Sequence, residues 1–308
     1  MEHKKVLAAL SAILFAACAI VGVNLYFTYR SVYYLPEDTV DELCEILEKD
    51  NIQIDRDIVS TKIEKSTVYV CNSDEYSKNV SEALCGTKIK NAYAVPDGEL
   101  LIMENGKKFE FYNNFSFKFA ENTDISVHYG AENIGMAEIV YDKTEYEKAE
   151  KIAADFLDKG SRKFERTGLV NSKTTADSIY KDGSKYYVIC SRTINDVAVT
   201  GNMVICTVED GRVTEAGGTW CFLTVGESYS AQLSDMINIL FSVKKELSHS
   251  KDKENGIRIS SVDFCYSLYF FGDADDFCLI PCWQIRIDNG EKLIYNAIDG
   301  TLYTKTTE

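Results

Sequence analysis

The sequence predicts an α+β protein: an N-terminal transmembrane helix followed by tandem units, each a helix packed across an antiparallel sheet. Three observations carry this expectation. Residues 6–27 form about one membrane width of apolar sequence without a charge. Two later segments repeat the order helix, then three antiparallel strands. Gly106, Gly211 and Gly290 punctuate the strand-like runs where tight hairpins need positive φ.

The apolar stretch reads VLAALSAILFAACAIVGVNLYF, long enough for an α-helix to cross the hydrocarbon core. Lys4 and Lys5 precede it and Arg30 follows, which favours an inside N-terminus. The expected arrangement is a cytoplasmic tail over residues 1–5, a transmembrane helix over 6–27 and an extracytoplasmic remainder, a single-pass protein of the cell membrane. Tyr26, Tyr29, Tyr33 and Tyr34 crowd the exit, where amphipathic rings suit the headgroup layer. A cleaved signal peptide would have a shorter core and a small-x-small site followed by polar sequence. A lipoprotein signal ending at Cys18 would place Phe15 at a position that suits it poorly. Ala8, Ala12 and Ala16 fall four apart on one face, where small residues let membrane helices approach and pair.

Beyond the anchor, the expected units span residues 37–143, 144–226 and 227–308. In the first, Thr39 and Glu42 form a capping box, and Val40, Leu43, Cys44 and Leu47 recur at helical spacing. Strands follow at 67–71, 100–103 and 108–112, the last two joined across Asn105-Gly106. Phe115, Phe117 and Phe119 alternate with polar residues, the pattern of a half-buried strand. In the second unit, Thr144 and Glu147 repeat the capping box. Tyr146, Ala149, Ile152, Ala153, Phe156 and Leu157 make one stripe, with Gly160 as the stop. Strands over 185–192, 203–208 and 212–222 come next. A two-residue loop at Asp210-Gly211 sets Val208 opposite Val213 and Glu209 opposite Arg212.

The third unit opens with a helix over 230–247 and continues with strands over 258–269, 279–287 and 292–303. A three-residue loop, Asp288-Asn289-Gly290, sets Ile285 opposite Leu293 and Trp283 opposite Tyr295. A two-residue loop would set Trp283 opposite Asn296. The first register makes one continuous apolar face.

A chain of 308 residues, 45% hydrophobic and 12% aromatic, holds enough apolar sequence for two or three folded units. A formal charge of −15 excludes nucleic acid and anionic lipid surfaces as natural partners, because both need clustered Lys and Arg. Of ten cysteines, nine lie beyond the anchor, where extracellular placement favours disulfides, while Cys190, Cys206 and Cys265 sit within apolar runs where cysteine serves as a small buried hydrophobe, which favours mostly free thiols. Cys278 and Cys282 lack the spacing of a zinc knuckle or a redox pair.

The usual catalytic signatures are missing. Three histidines, His3, His128 and His249, show no ligand spacing, and no nucleophile elbow or phosphate-binding glycine loop occurs. No catalytic residue, metal or cofactor is expected. Asp273, Asp275 and Asp276 lie together and could in principle serve glycoside hydrolysis or calcium, but they read as a solvated hairpin tip.

The run PCWQIRIDNGEKLIYNAIDGTLY, with ISSVDFCYSLYF before it, resembles the C-terminal end of the YycI/YycH family of Gram-positive bacteria. The matching residues are Pro281 and Trp283 of a P-x-W strand and Asn296, Ala297 and Gly300 of an N-A-x-x-G hairpin. The resemblance covers about residues 144–303, and PepSY-like modules share the A-x-x-G turn. It implies a non-enzymatic membrane regulator that pairs with a sister YycH-like protein and acts on a sensor histidine kinase of a two-component system in cell-wall homeostasis. The alternatives it leaves are a PepSY-like peptidase inhibitor or spore-envelope protein, or an extracytoplasmic cell-wall hydrolase.

Overall fold

Strand-forming sequence dominates the chain. The computed structural model describes residues 18–23, 35–60, 65–71, 76–121, 134, 137–162, 172–222, 225–248, 256–270 and 277–307. The strands are β1 (Ile52–Ile54), β2 (Lys65–Cys71), β3 (Ile89–Val95), β4 (Gly98–Met103), β5 (Lys108–Tyr112), β6 (Ser116–Ala120), β7 (Glu138–Ile139) and β8 (Ser172–Asp182). They continue with β9 (Lys185–Ile194), β10 (Val197–Glu209), β11 (Arg212–Thr219), β12 (Val225–Gln232), β13 (Ile257–Phe270), β14 (Phe277–Ile287), β15 (Glu291–Asn296) and β16 (Leu302–Thr307). The helices are α1 (Glu37–Glu48), α2 (Tyr76–Cys85), α3 (Lys143–Arg162) and α4 (Met236–Leu247).

Contacts divide the chain into two units that are each discontinuous in sequence. The first draws on Met1–Ser66, Ser230–Asp263 and Cys282–Glu308; the second on Thr67–Tyr229 and Phe264–Pro281. In the first unit, Val40, Leu43 and Leu47 of α1 and Ile239, Leu240 and Val243 of α4 bury against Ile285, Leu293 and Tyr295. Each such side chain contributes about 1.5–3 kcal/mol by leaving water. Strand β1 runs parallel to β13, with Ile52 opposite Ile257, while β14, β15 and β16 form an antiparallel meander.

In the second unit, an antiparallel run β3-β4-β5-β6-β11-β10 carries the core, and β9, β8 and β7 extend from β10. Phe109 stacks within 4.9 Å of Phe119, which lies 5.0 Å from Phe156 of α3. Three hydrogen bonds fasten α3 to β8: Tyr146 Oη donates to the Ala176 carbonyl at 2.8 Å, the Ala176 amide donates to Glu150 at 3.0 Å, and Thr174 Oγ1 donates to Asp158 at 2.7 Å. A smaller apolar cluster gathers Tyr69, Phe115, Val199, Tyr266 and Phe277. Strand β10 also pairs in parallel with β13, Val199 opposite Tyr266.

The expected fold class is overturned. A large mixed sheet replaces tandem helix-plus-antiparallel-sheet units, because β13 pairs in parallel with two strands remote from it in sequence and α1 joins α4 in one core. Among the described residues no helix is long and apolar enough to cross a membrane. The described residues therefore do not support the expected N-terminal transmembrane helix or the single-pass membrane localisation. Of residues 6–27, 18–23 are helical and exposed, and the rest lie outside the described residues.

Local expectations divide by kind. The registers expected at two hairpins hold: Val208 faces Val213, Glu209 faces Arg212, Ile285 faces Leu293 and Trp283 faces Tyr295. The helix ends shift. Helix α1 begins at Glu37 after Pro36 with no side-chain cap, so Thr39 lies inside it; Glu37 and Asp38 favour its N-terminus by charge. The cap of α3 is Asp142, whose Oδ1 accepts from the Glu145 amide at 2.9 Å, and the helix runs through Gly160. Helix α4 begins at Met236, capped by Asp235, because β12 claims residues up to Gln232. The strand expected over 292–303 breaks into β15 and β16 around a turn at Gly300, whose φ is +73°.

Candidate functional site

The family-pattern residues build a turn. Asn296 Oδ1 accepts from the Ile298 amide at 2.9 Å, and the Gly300 amide donates to the Asn296 carbonyl at 2.9 Å. The carbonyl of Ala297, itself fully buried, accepts from the Ser234 amide at 2.7 Å. Trp283 packs on the core of the first unit. Pro281 lies in β14 between residues 277–279, which pair with β2, and 282–286, which pair with β15. These five residues do structural work. Ala8, Ala12, Ala16, Asp273, Asp275, Asp276, His128 and His249 lie outside the described residues.

The thiols are built for burial. Hydrogen bonding to Cys190, and then burial, push the Cys206 thiol well above its ordinary value. Burial pushes Cys85 and Cys282 up to about 12. Such thiols stay protonated at neutral pH, and the protonated form is a poor nucleophile. Arg192 is buried as well: Nε donates to Ser172 Oγ at 2.7 Å, Nη1 donates to the Cys221 carbonyl, and the guanidinium lies 5.8 Å from the Trp220 ring centroid. The Cys221 amide donates to Asn202 Oδ1 at 2.6 Å. This cluster ties chain segments together inside the second unit.

A groove of about 280 Å³ opens on the second unit among the described residues. One wall is the N-terminal half of α3, with Thr144, Lys148 and Ile152 one turn apart and Glu145 and Ala149 beside them. The other wall is two hairpin tips: Ser184 and Tyr186 from β8–β9, and Val208, Asp210 and Gly211 from β10–β11. Both tips bend through positive φ, at Gly183 (+58°), Asp210 (+51°) and Gly211 (+74°), which Gly and Asp tolerate. Ala149 and Val208 floor the groove and are buried; Ile152 and Tyr186 are half-buried. Lys181 sits beside it, 2.8 Å from Glu145 and 5.2 Å from the Tyr186 ring centroid. The hydrogen bond to Glu145, then that to Tyr186, raise the Lys181 pKa.

Sequence reasoning placed Ala149 and Ile152 on the α3 stripe and Asp210-Gly211 at a tip, but missed β8, and with it the groove. The alternation across residues 172–182 was the signal available: Thr174 and Ile179 are buried among more exposed neighbours, and a register shift between Ala176 and Ser178 breaks the period.

The fold and groove together define a β-rich, two-unit protein with a small surface groove on one unit. No protein-family model matches the chain, and no curated protein matches it. Among solved structures, an uncharacterized protein from Eubacterium rectale is similar, at 12% sequence identity and a TM-score of 0.43, over 83% of this chain and 91% of that one.

Proposed function

We propose that this chain is a non-enzymatic regulator that works by protein–protein contact, and that its partner is a sensor histidine kinase of a two-component system, acting with a sister protein of its own kind. The observation that carries the contact reading is the open groove beside α3, whose floor is apolar and whose walls hold charges of both signs. Protein-binding slots combine an apolar seat with a charged rim that sets orientation. The kinase reading rests on the P-x-W strand and N-A-x-x-G turn, which resemble the end of the YycI/YycH family.

The test is the autophosphorylation rate of a candidate sensor histidine kinase from the same organism, measured with increasing amounts of the purified full chain. A saturable change in rate, with a complex of defined stoichiometry by sedimentation, is the expected outcome. An unchanged rate at saturating chain removes the kinase from the reading.

A further inference from the structure

The groove specifies more than an apolar seat. Its helix wall runs from Thr144 to Ile152, about 12 Å at 1.5 Å per residue. An extended chain advances about 3.3 Å per residue, so this wall matches roughly three to four residues of strand, or about two turns of helix. Around the rim, Glu145 pairs with Lys181 at 2.8 Å and Glu209 with Lys185 at 3.9 Å. Lys148 and Asp210 also line the groove, both exposed, and neither has an ion-pair partner among the described residues. They stand on opposite walls, the cation on the helix and the anion on the β10–β11 tip.

We propose that this groove binds a short extended segment of the partner protein in which a large apolar side chain is flanked by a carboxylate on one side and a lysine or arginine on the other. The apolar side chain seats on Ala149, Ile152, Tyr186 and Val208; the carboxylate meets Lys148 and the cation meets Asp210. A ligand with charges of one sign would satisfy one wall and oppose the other. A fully apolar ligand would leave both charges to be desolvated without a partner. The proposal deepens the reading of the chain as a protein-contact regulator and rests on it.

Fluorescein-labelled peptides containing Gly-Asp-Leu-Arg-Gly, and versions with Arg on both sides or Asp on both sides of the Leu, test the assignment by anisotropy on the full chain. The mixed peptide binds tightest to the wild type. Lys148→Glu shifts preference to the doubly basic peptide by about two- to fivefold, the worth of one rim charge. Asp210→Asn, which keeps a residue tolerant of the +51° backbone, erases the preference for the basic end. Ile152→Glu weakens binding about tenfold or more by placing a carboxylate on the apolar seat. Circular dichroism and urea midpoints matching wild type show that the variants fold.

Equal binding of the three peptides, no binding up to about 1 mM, or full affinity in Ile152→Glu overturns the proposal. So does a wild-type dimer that Ile152→Glu converts to monomer, since the occupant is then a second copy of the chain. If Lys148→Glu and Ile152→Glu still regulate the kinase, the groove assignment fails while the contact reading stands. If the wild type binds the mixed peptide but leaves the kinase unaffected, the kinase reading fails and the groove stands.

Discussion

Replacing Gly160 by alanine sets two physical effects against each other. Gly160 lies within α3, and alanine in a helix interior is favoured over glycine by about 1 kcal/mol. Its φ is not in the left-handed region, so no backbone strain opposes the change. The space does. A Cβ there would lie 2.5 Å from Cδ1 and 2.6 Å from Cε1 of Phe222, with Leu84 Cδ2 at 3.4 Å. Carbon atoms prefer about 3.5–4.0 Å, so the overlap is roughly 1 Å. Phe222 is fully buried and its ring packs 5.6 Å from that of Phe117, so it has little room to yield. Overpacking of this kind costs about 1–3 kcal/mol and offsets or exceeds the propensity gain, for a net loss of up to about 2 kcal/mol. The chain has two tryptophans, Trp220 in the second unit with Gly160 and Trp283 in the first. In a Trp283→Phe background, Trp220 fluorescence during urea titration therefore reports the unit that contains the substitution. Phe222→Leu removes the ring, and the double variant should show a favourable coupling of about 1 kcal/mol. A Gly160→Ala protein with a raised urea midpoint would refute the packing argument and leave helix propensity as the deciding effect.

Further expectations follow from the same geometry. Asp142→Ala should lower stability by about 1 kcal/mol through loss of the α3 cap, while Thr39→Ala, inside α1 and not a cap, should change it by less than about 0.5 kcal/mol; urea midpoints compare them. Leu240→Ala, at a fully buried position between α1 and the sheet of the first unit, should cost about 2–5 kcal/mol, read by Trp283 fluorescence. The Cys282 thiol is raised from 9.0 to about 12 by burial, and burial, then the Glu246 carboxylate, raise the Tyr295 phenol. Folding thus favours the protonated forms: their stabilisation is complete below about pH 9 and is lost as pH rises toward about 12. The first unit's urea midpoint should fall over that window, and less steeply in Cys282→Ala; a flat profile contradicts the burial of these groups.

Hairpins were the most legible part of the fold. Asp210-Gly211 and Asp288-Asn289-Gly290 carry their turn geometry in residue type, and a one-residue slip would have turned Trp283 and Ile285 away from the apolar face, so register could be read from pattern alone. Helix caps were less legible. Thr39 and Thr144 both satisfied a capping-box spacing, yet Asp142 stands two residues before Thr144, and Pro36 precedes a first turn already stabilised by Glu37 and Asp38. The groove was not legible at all, since it needs β8, and the bulge between Ala176 and Ser178 hides that strand's period.

By itself the sequence determined which residues face inward and where the chain reverses, because side-chain hydrophobicity and the φ preferences of glycine and aspartate act over a few neighbours. Phe109, Phe117 and Phe119, and Leu293 and Tyr295, are buried as their spacing requires. Tertiary structure decided which distant strands pair and which helices share a core. Parallel pairing of β13 with β1 and β10 joins segments far apart in the chain, and nothing in their local pattern names the partner. Bringing Lys148 of α3 and Asp210 of a hairpin tip to opposite walls of one groove is a result of the same kind: each residue is ordinary where it stands in sequence, and only the packing of helix on sheet makes them a pair.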